Sequence, residues 1–164
     1  VVDIRRAVEA DIESGARCHV ECWREAYSAL VEPRRLAGIV ADNTAQVEIW
    51  QTLIDTGAPP LVAVEVGEVV GFAIAGPAQE AGVEVGYKLY AINVRQAHYG
   101  TGLGQQLLDQ AVGDRACFLW VARDNPRAIA FYLRNGFVAD GAEQQETTLF
   151  DIPIIRMVRP AIVA

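Results

Sequence analysis

Apolar residues recur along this chain with different periods, and each change of period marks an element. Over residues 2–8 the alternation of Val2, Ile4 and Ala7/Val8 with charged residues predicts a first strand with one wet face. From Ile12 the spacing lengthens to three or four, through Ala16, Val20, Trp23 and Tyr27. That lays one stripe along a half-buried helix, with Arg17, Glu21, Arg24 and Glu25 off the stripe and Asp11 placed to cap it. Pro33 and Gly38 punctuate a short irregular or helical segment over residues 31–40. Asn43 or Thr44 then caps a helix that turns Val47, Trp50, Leu53 and Ile54 inward, until Gly57 and the Pro59-Pro60 pair stop it.

Two apolar runs follow, residues 61–66 and 69–75, joined across Val66-Gly67-Glu68 in the pattern of an antiparallel hairpin. Residues 83–94 read as the next long strand, residues 95–101 as a loop, and residues 102–112 as an amphipathic helix. Leu103, Leu107, Leu108, Ala111 and Val112 form the buried stripe of that helix, while Gln105, Gln106, Asp109 and Gln110 face water. The unbroken apolar run at 116–122 predicts a central strand covered on both faces. Asn125 caps the next helix with Pro126 in its first turn, and Asn135-Gly136 ends it. Residues 137–140 and 152–158 read as closing strands, with the polar stretch GAEQQETT as their connection. There are no repeats and no low-complexity linker. The order predicts an α/β chain, one domain over residues 1–164, with a mixed sheet and helices on both faces.

Composition narrows the function. With 52% hydrophobic residues the chain can bury a substantial core. A net charge of −7 argues against a nucleic-acid binder that relies on a broad basic face. Cys18, Cys22 and Cys117 are too few and too badly spaced for a disulfide scaffold, and Cys18, His19 and Cys22 make at most a partial metal set, so no metal is expected. The chain has no apolar run of about 18 residues, and VVDIRR lacks the basic and apolar regions of a leader, so the expectation is a cytoplasmic protein without a membrane segment.

The chemistry concentrates where a strand feeds a glycine-rich turn that opens a helix. The first helical amides lack internal partners and the helix dipole is positive there, so Gly100, Gly102 and Gly104 suit the close approach of a phosphate. A dinucleotide fingerprint fails, because Gln105 follows Gly104 and no acidic strand end lies about 20 residues on. A P-loop fails for want of Gly-Lys-Ser/Thr. The pair of stretches HYGTGLGQQLL at 98–108 and NPRAIAFYLRNGF at 125–137, however, resembles the two core motifs of the GNAT superfamily of N-acetyltransferases. Tyr99-Gly100-Thr101-Gly102-Leu103-Gly104 matches its pyrophosphate loop, with Tyr99 where Gln or Arg is usual. Asn125, Ala128, Phe131, Tyr132, Gly136 and Phe137 match its second motif.

The resemblance implies a GNAT-like acyl-CoA N-acyltransferase fold: a central mixed, mostly antiparallel sheet of six or seven strands flanked by about four helices. It implies acetyl-CoA as co-substrate, with pantetheine paired along Ile92, Asn93 and Val94 and the pyrophosphate on amides of Gly100, Thr101, Gly102, Leu103, Gly104 and Gln105. Asn125 matches a position that contacts the cofactor or orders the catalytic end, and is also a plain helix cap. Tyr132 matches the phenol that donates to the departing thiolate, beside its simpler reading as a core aromatic. Many relatives carry a glutamate base where this chain has Lys88 or Trp120. Glu84, Glu146, Asp151 and His98 are left as groups for a water relay or as solvated surface. Trp23, Tyr27 and residues 31–36 would line the acceptor side and Trp120 its floor. The implied reaction is direct attack of a primary amine, on a small molecule or a peptide N-terminus, in a protein whose relatives are often homodimers. The alternative is a non-catalytic acyl-CoA-binding module or sensor.

Overall fold

The computed structural model describes residues 1–163. Its alternating segments pair into one seven-stranded sheet in the order β1-β2-β3-β4-β5-β7-β6. The strands are β1 (Asp3–Arg6), β2 (Leu61–Glu65), β3 (Glu68–Pro77), β4 (Tyr87–Val94), β5 (Cys117–Ala122), β6 (Val138–Glu146) and β7 (Ile152–Arg159). Every pairing is antiparallel except that of β4 with β5. Among the described residues five α-helices cover the sheet: α1 (Ile12–Tyr27), α2 (Pro33–Ile39), α3 (Thr44–Asp55), α4 (Leu103–Ala111) and α5 (Pro126–Arg134).

The helical stripes explain the two faces. On one, Leu103, Leu107 and Leu108 of α4 and Tyr132 of α5 pack with Leu119, Phe137 and Met157. On the other, Ile12, Cys18 and Cys22 of α1 meet Trp50 of α3 and Phe72 of β3, while Val20, Leu36 and Ala122 form a neighbouring cluster. Since β5 gives residues to both faces, its continuous apolar run is what a doubly covered strand requires. Gly15 lets α1 pack against Trp50 of α3, where a Cβ would lie 2.1 Å from the ring. The β2–β3 hairpin turns on Val66 and Gly67, both at positive φ (50° and 79°), as a two-residue turn with a twist matched to its strands demands.

Three expectations are corrected. The strand predicted from residue 83 starts at Tyr87, and residues 78–86 form a loop with one Glu80–Val83 bridge, held by Arg156 of β7, which donates to the carbonyls of Ala81 and Gly82 at 3.0 Å each. The polar stretch after Asp140 is strand rather than connection, because β6 is an edge strand exposed along most of its length, and no hydrophobic alternation marks it. Asp11 does not cap α1. A 3-10 turn precedes the helix, and the Asp11 carboxylate instead accepts from the Val8 N–H at 2.8 Å and from Arg5 at 2.6 and 3.0 Å.

The feature that positions the site is where β4 leaves β5. On β3, Ile74 pairs with Ala91 and Ala75 with Leu89, so Tyr90 is an extra residue that bulges β4. The parallel ladder between β4 and β5 is reduced to Lys88 opposite Phe118. From Leu89 to Val94 the β4 edge facing β5 has no ladder partner among the described residues.

Candidate active site

Two cavities meet in this gap. The outer one, about 370 Å³, lies between β4, the glycine turn and α5; the inner one, about 290 Å³, reaches through to α1 and the β6–β7 connection. Ile92, Tyr99, Arg127, Ala128 and Tyr132 line both.

The outer cavity is built for an anion. Gly100 and Gly102 stand at φ 74° and 84°, a conformation that costs side-chain-bearing residues strain, and a Cβ at either would meet nothing within 4 Å. Gly102 starts α4 without a side-chain cap, and the first bond of this turn runs from the Gln106 N–H to the Gly102 carbonyl at 3.1 Å. The amides of Leu103, Gly104 and Gln105 therefore precede the intrahelical ladder, at the positive end of the helix dipole. Arg127 and Arg134 of α5 and His98 also line this cavity, and no Asp or Glu does. Against an overall charge of −7, the two arginines make a local excess of positive charge that is informative. The loop is tied to α1: the Glu25 carboxylate accepts from the Gln96 N–H at 2.8 Å and from Arg95 Nε at 3.0 Å.

Tyr132 sits where the cavities join, 9% exposed, its hydroxyl without a hydrogen bond among the described residues. Burial pushes its phenol well above the usual tyrosine range, so it stays protonated at neutral pH. Asn125 lines the inner cavity and caps α5, its Oδ1 accepting from the Ala128 N–H at 3.1 Å.

The inner cavity has an aromatic wall. Trp23 and Tyr27 lie about one turn apart on α1, and Phe150 packs on both, with ring centroids at 5.1 and 4.4 Å. Phe150 is aimed there because the Glu146 carboxylate gathers the amides of Thr148, Leu149 and Phe150 at 2.6 to 2.9 Å. His19 adds an edge 4.6 Å from Trp23, and accepts at Nδ1 from the Trp50 indole N–H at 3.3 Å. Desolvation lowers its pKa to about 4, so it is neutral, with its proton on Nε2. At the floor, Trp120 donates to Glu80 at 2.6 Å, and Glu80 also pairs with Lys88 at 3.3 Å.

Most residues expected from the sequence thus line one cleft: Ile92, Val94, Gly100, Gly102, Leu103, Gly104 and Gln105 the outer part, Trp23, Tyr27, Asn93, Trp120 and Asn125 the inner, and Tyr132 the junction. Thr101 does not line it; its hydroxyl donates to the His98 carbonyl at 2.7 Å. Glu84, Glu146 and Asp151 do not line it either. Sequence reasoning passed over Arg127, Phe150 and Tyr90, and weighed His19 only as a metal ligand. Phe150 follows a polar stretch with no periodicity, so nothing local announced it. Cys117, buried in β5 with its thiol pushed up to about 11 by desolvation, is unsuited to nucleophilic work. Among the described residues no group of three or more His, Cys, Asp or Glu side chains is arranged to hold a metal ion, and no helix is long and apolar enough to cross a membrane.

Residues 57–139 match the family described as the acetyltransferase (GNAT) domain. The chain is 31% identical over 140 residues to YuaI, an uncharacterized N-acetyltransferase of Bacillus subtilis, over 80% of this chain and 78% of that protein. Among solved structures it resembles the PaiA N-acetyltransferase of Thermoplasma acidophilum in complex with coenzyme A, with a TM-score of 0.74 at 16% identity over 98% and 99% of the two chains. It also resembles YncA, a putative acetyltransferase of Salmonella typhimurium with its cofactor acetyl-CoA, with a TM-score of 0.70 at 19% identity over 100% and 96%. At these identities the two structures speak for the fold. The family match takes in the bulged strand, the glycine turn and α5 together, and with it the chain belongs to the GNAT family of N-acetyltransferases.

Proposed function

We propose that this protein transfers an acetyl group from acetyl-CoA to a primary amine by direct attack, without a covalent enzyme intermediate. The observation that carries the proposal is the continuous cleft with free helical amides and two arginines at one end, the Tyr132 phenol at its middle and an aromatic chamber at the other. The residues present fit the co-substrate. Open space over the left-handed Gly100 and Gly102 suits a diphosphate on the main chain of residues 100–105, and the unpaired β4 edge at Ile92, Asn93 and Val94 suits the amides of pantetheine as an added strand. When bound, acetyl-CoA supplies a thioester, an acyl group activated toward nitrogen.

The protein's own groups bind, orient and move a proton. Arg127 and Arg134 balance phosphate charge, and Asn125 orders the start of α5. Tyr132, held protonated by burial, donates to the sulfur as the carbon–sulfur bond breaks. Its deprotonated form is too costly in that setting for it to serve as the base. Trp23, Tyr27 and Trp120 bound the acceptor.

Calorimetry with acetyl-CoA and release of free thiol across a panel of amines test this reading. Tyr132→Phe is expected to lower turnover at least tenfold, roughly 1.4 kcal/mol, while leaving acetyl-CoA affinity within a few-fold. Unchanged turnover removes the role assigned to Tyr132, and absence of affinity for coenzyme A or acetyl-CoA removes the function. Lys88 and Trp120, both engaged by Glu80, favour a second reading as a non-catalytic acyl-CoA sensor, for which binding would occur without thiol release on any acceptor.

A further inference from the structure

We infer that the acceptor is an aromatic amine of low basicity, with its nitrogen on or conjugated to the ring that the chamber holds. This rests on the acyl-transfer reading above and names its substrate class. The first ground is the wall. Trp23, Tyr27 and Phe150 form one continuous aromatic surface drawn from two distant parts of the chain, with Trp120 as the floor. Offset and edge contacts to such a surface favour a flat ring. The inner cavity, about 290 Å³, also has to admit the thioester end of the co-substrate, which leaves room for a small ring and not for an oligosaccharide.

The second ground is the charge around that wall. No Asp or Glu lines the chamber, and three acids on the segments around it are committed to other partners. Glu80 is bound by Trp120 and Lys88, Glu146 by three backbone amides, and Glu25 by Arg95 and the Gln96 N–H. The titratable groups that do face the chamber are His19, Tyr27, Tyr90, Tyr99, Tyr132 and Arg127. Of these Arg127 brings a positive charge, and there is no carboxylate among them. His19 cannot take a proton from the substrate, because its Nδ1 lone pair is occupied by the Trp50 indole and its Nε2 already bears hydrogen. That N–H has no partner among the described residues, so it is available to a hydrogen-bond acceptor on the ring. Aromatic walls also attract cations. Here an alkylammonium would enter a chamber with no carboxylate counter-charge, beside an arginine, and would still need a base before it could attack.

An arylamine needs none. Delocalisation of its lone pair into the ring leaves it neutral at pH 7, so it arrives ready to attack. Its nitrogen bonds to the thioester carbonyl carbon and the carbon–sulfur bond breaks; Tyr132 gives its proton to the departing sulfur and takes up the proton shed by nitrogen, so the phenol ends the turnover protonated. The products are the N-acetyl arylamine and free coenzyme A thiol. The positions usually filled by a glutamate base are free to hold Lys88 and Trp120 because this acceptor does not call on one.

The test is thiol release from saturating acetyl-CoA with matched amines: p-anisidine, its alkylamine counterpart p-methoxybenzylamine, spermidine and a lysine peptide. At pH 7 the arylamine is expected to exceed the benzylamine in kcat/KM by at least tenfold. Its rate should be flat from pH 7 to 9, while the benzylamine rate climbs about tenfold per pH unit as the free amine appears. Trp23→Ala and Phe150→Leu should each raise the arylamine KM several-fold, with acetyl-CoA affinity unchanged as the control for folding. Preference for spermidine, the peptide or the benzylamine at pH 7 overturns the inference and leaves acyl transfer intact. Acetyl-CoA binding with no thiol release on p-anisidine also overturns it. Loss of coenzyme A binding itself would instead sink the reading on which it rests.

Discussion

The guanidinium of Arg127 sits over the ring of Tyr99, its central carbon 3.3 Å from the ring centroid, at the point where the two cavities join. One partner comes from the glycine turn and the other from the first turn of α5, so the stack spans the mouth of the strand gap. It also gives a use to Tyr99, which stands where Gln or Arg is usual in the family: the tyrosine holds an arginine in place from the opposite side.

Arg127→Ala removes both that stack and a positive charge from the anion end. Acetyl-CoA affinity is expected to fall roughly five- to tenfold, about 1 kcal/mol, and its dependence on salt to flatten. Tyr99→Leu keeps the charge and loses the stack, so its loss should be smaller, with the salt slope retained. Calorimetry at two ionic strengths reads both; equal slopes in the wild type and Arg127→Ala would exclude a charge role.

Gly102→Ala acts through the backbone. Its φ of 84° is left-handed and its Cβ would point into open space, so no clash occurs and the cost is conformational, about 1–2 kcal/mol. If the turn relaxes to relieve that cost, the amides of Leu103 to Gln105 leave their convergence. Acetyl-CoA binding should weaken more than overall stability does. Gly104→Ala has only ordinary contacts with Phe131 and Val94, at 3.9 Å, and should leave overall stability close to that of the wild type.

Gly15→Ala should do the reverse, harming the fold rather than the turn. The added Cβ would overlap the buried Trp50 ring at 2.1 to 2.5 Å, and Trp50 is 0% exposed. Overpacking of this kind costs about 1–3 kcal/mol or more. A lowered urea midpoint is expected, and an unchanged midpoint would mean that α1 and α3 separate at no cost.

His19 imposes a pH dependence on stability. It titrates at 6.5 in an ordinary setting and about 4 in the fold, so between those values the unfolded chain binds more protons. Its contribution is fully present above pH 6.5, is lost as pH falls, and levels off below about 4, on the order of 3 kcal/mol in all. Its packed neighbours Trp23, Trp50 and Phe72 carry no charge to offset this. His19→Asn keeps an acceptor for the Trp50 indole and removes the titration. Urea midpoints across this window should fall less steeply in the variant; parallel curves would refute the assignment.

The stripe of α4, Leu103, Leu107, Leu108, Ala111 and Val112, was legible in the sequence because helical periodicity is a local property, and all five residues are buried. The caps at Asn125 and Gly136, the Val66-Gly67 turn and the two-faced β5 were legible for the same reason, since each depends on neighbours a few positions away. The glycine turn and the Tyr132 helix could be read as one site only through their resemblance to a family. Other features had no local trace. An edge strand as polar as β6 shows no alternation, and Glu80 reaches Trp120, 40 positions away, from a loop that Arg156 pins. The chamber itself, where His19, Arg127 and Phe150 converge, exists because β4 bulges at Tyr90 and parts from β5. Contacts between residues so far apart in the chain are decided by packing the whole sheet against its helices, and short-range pattern carries no information about them.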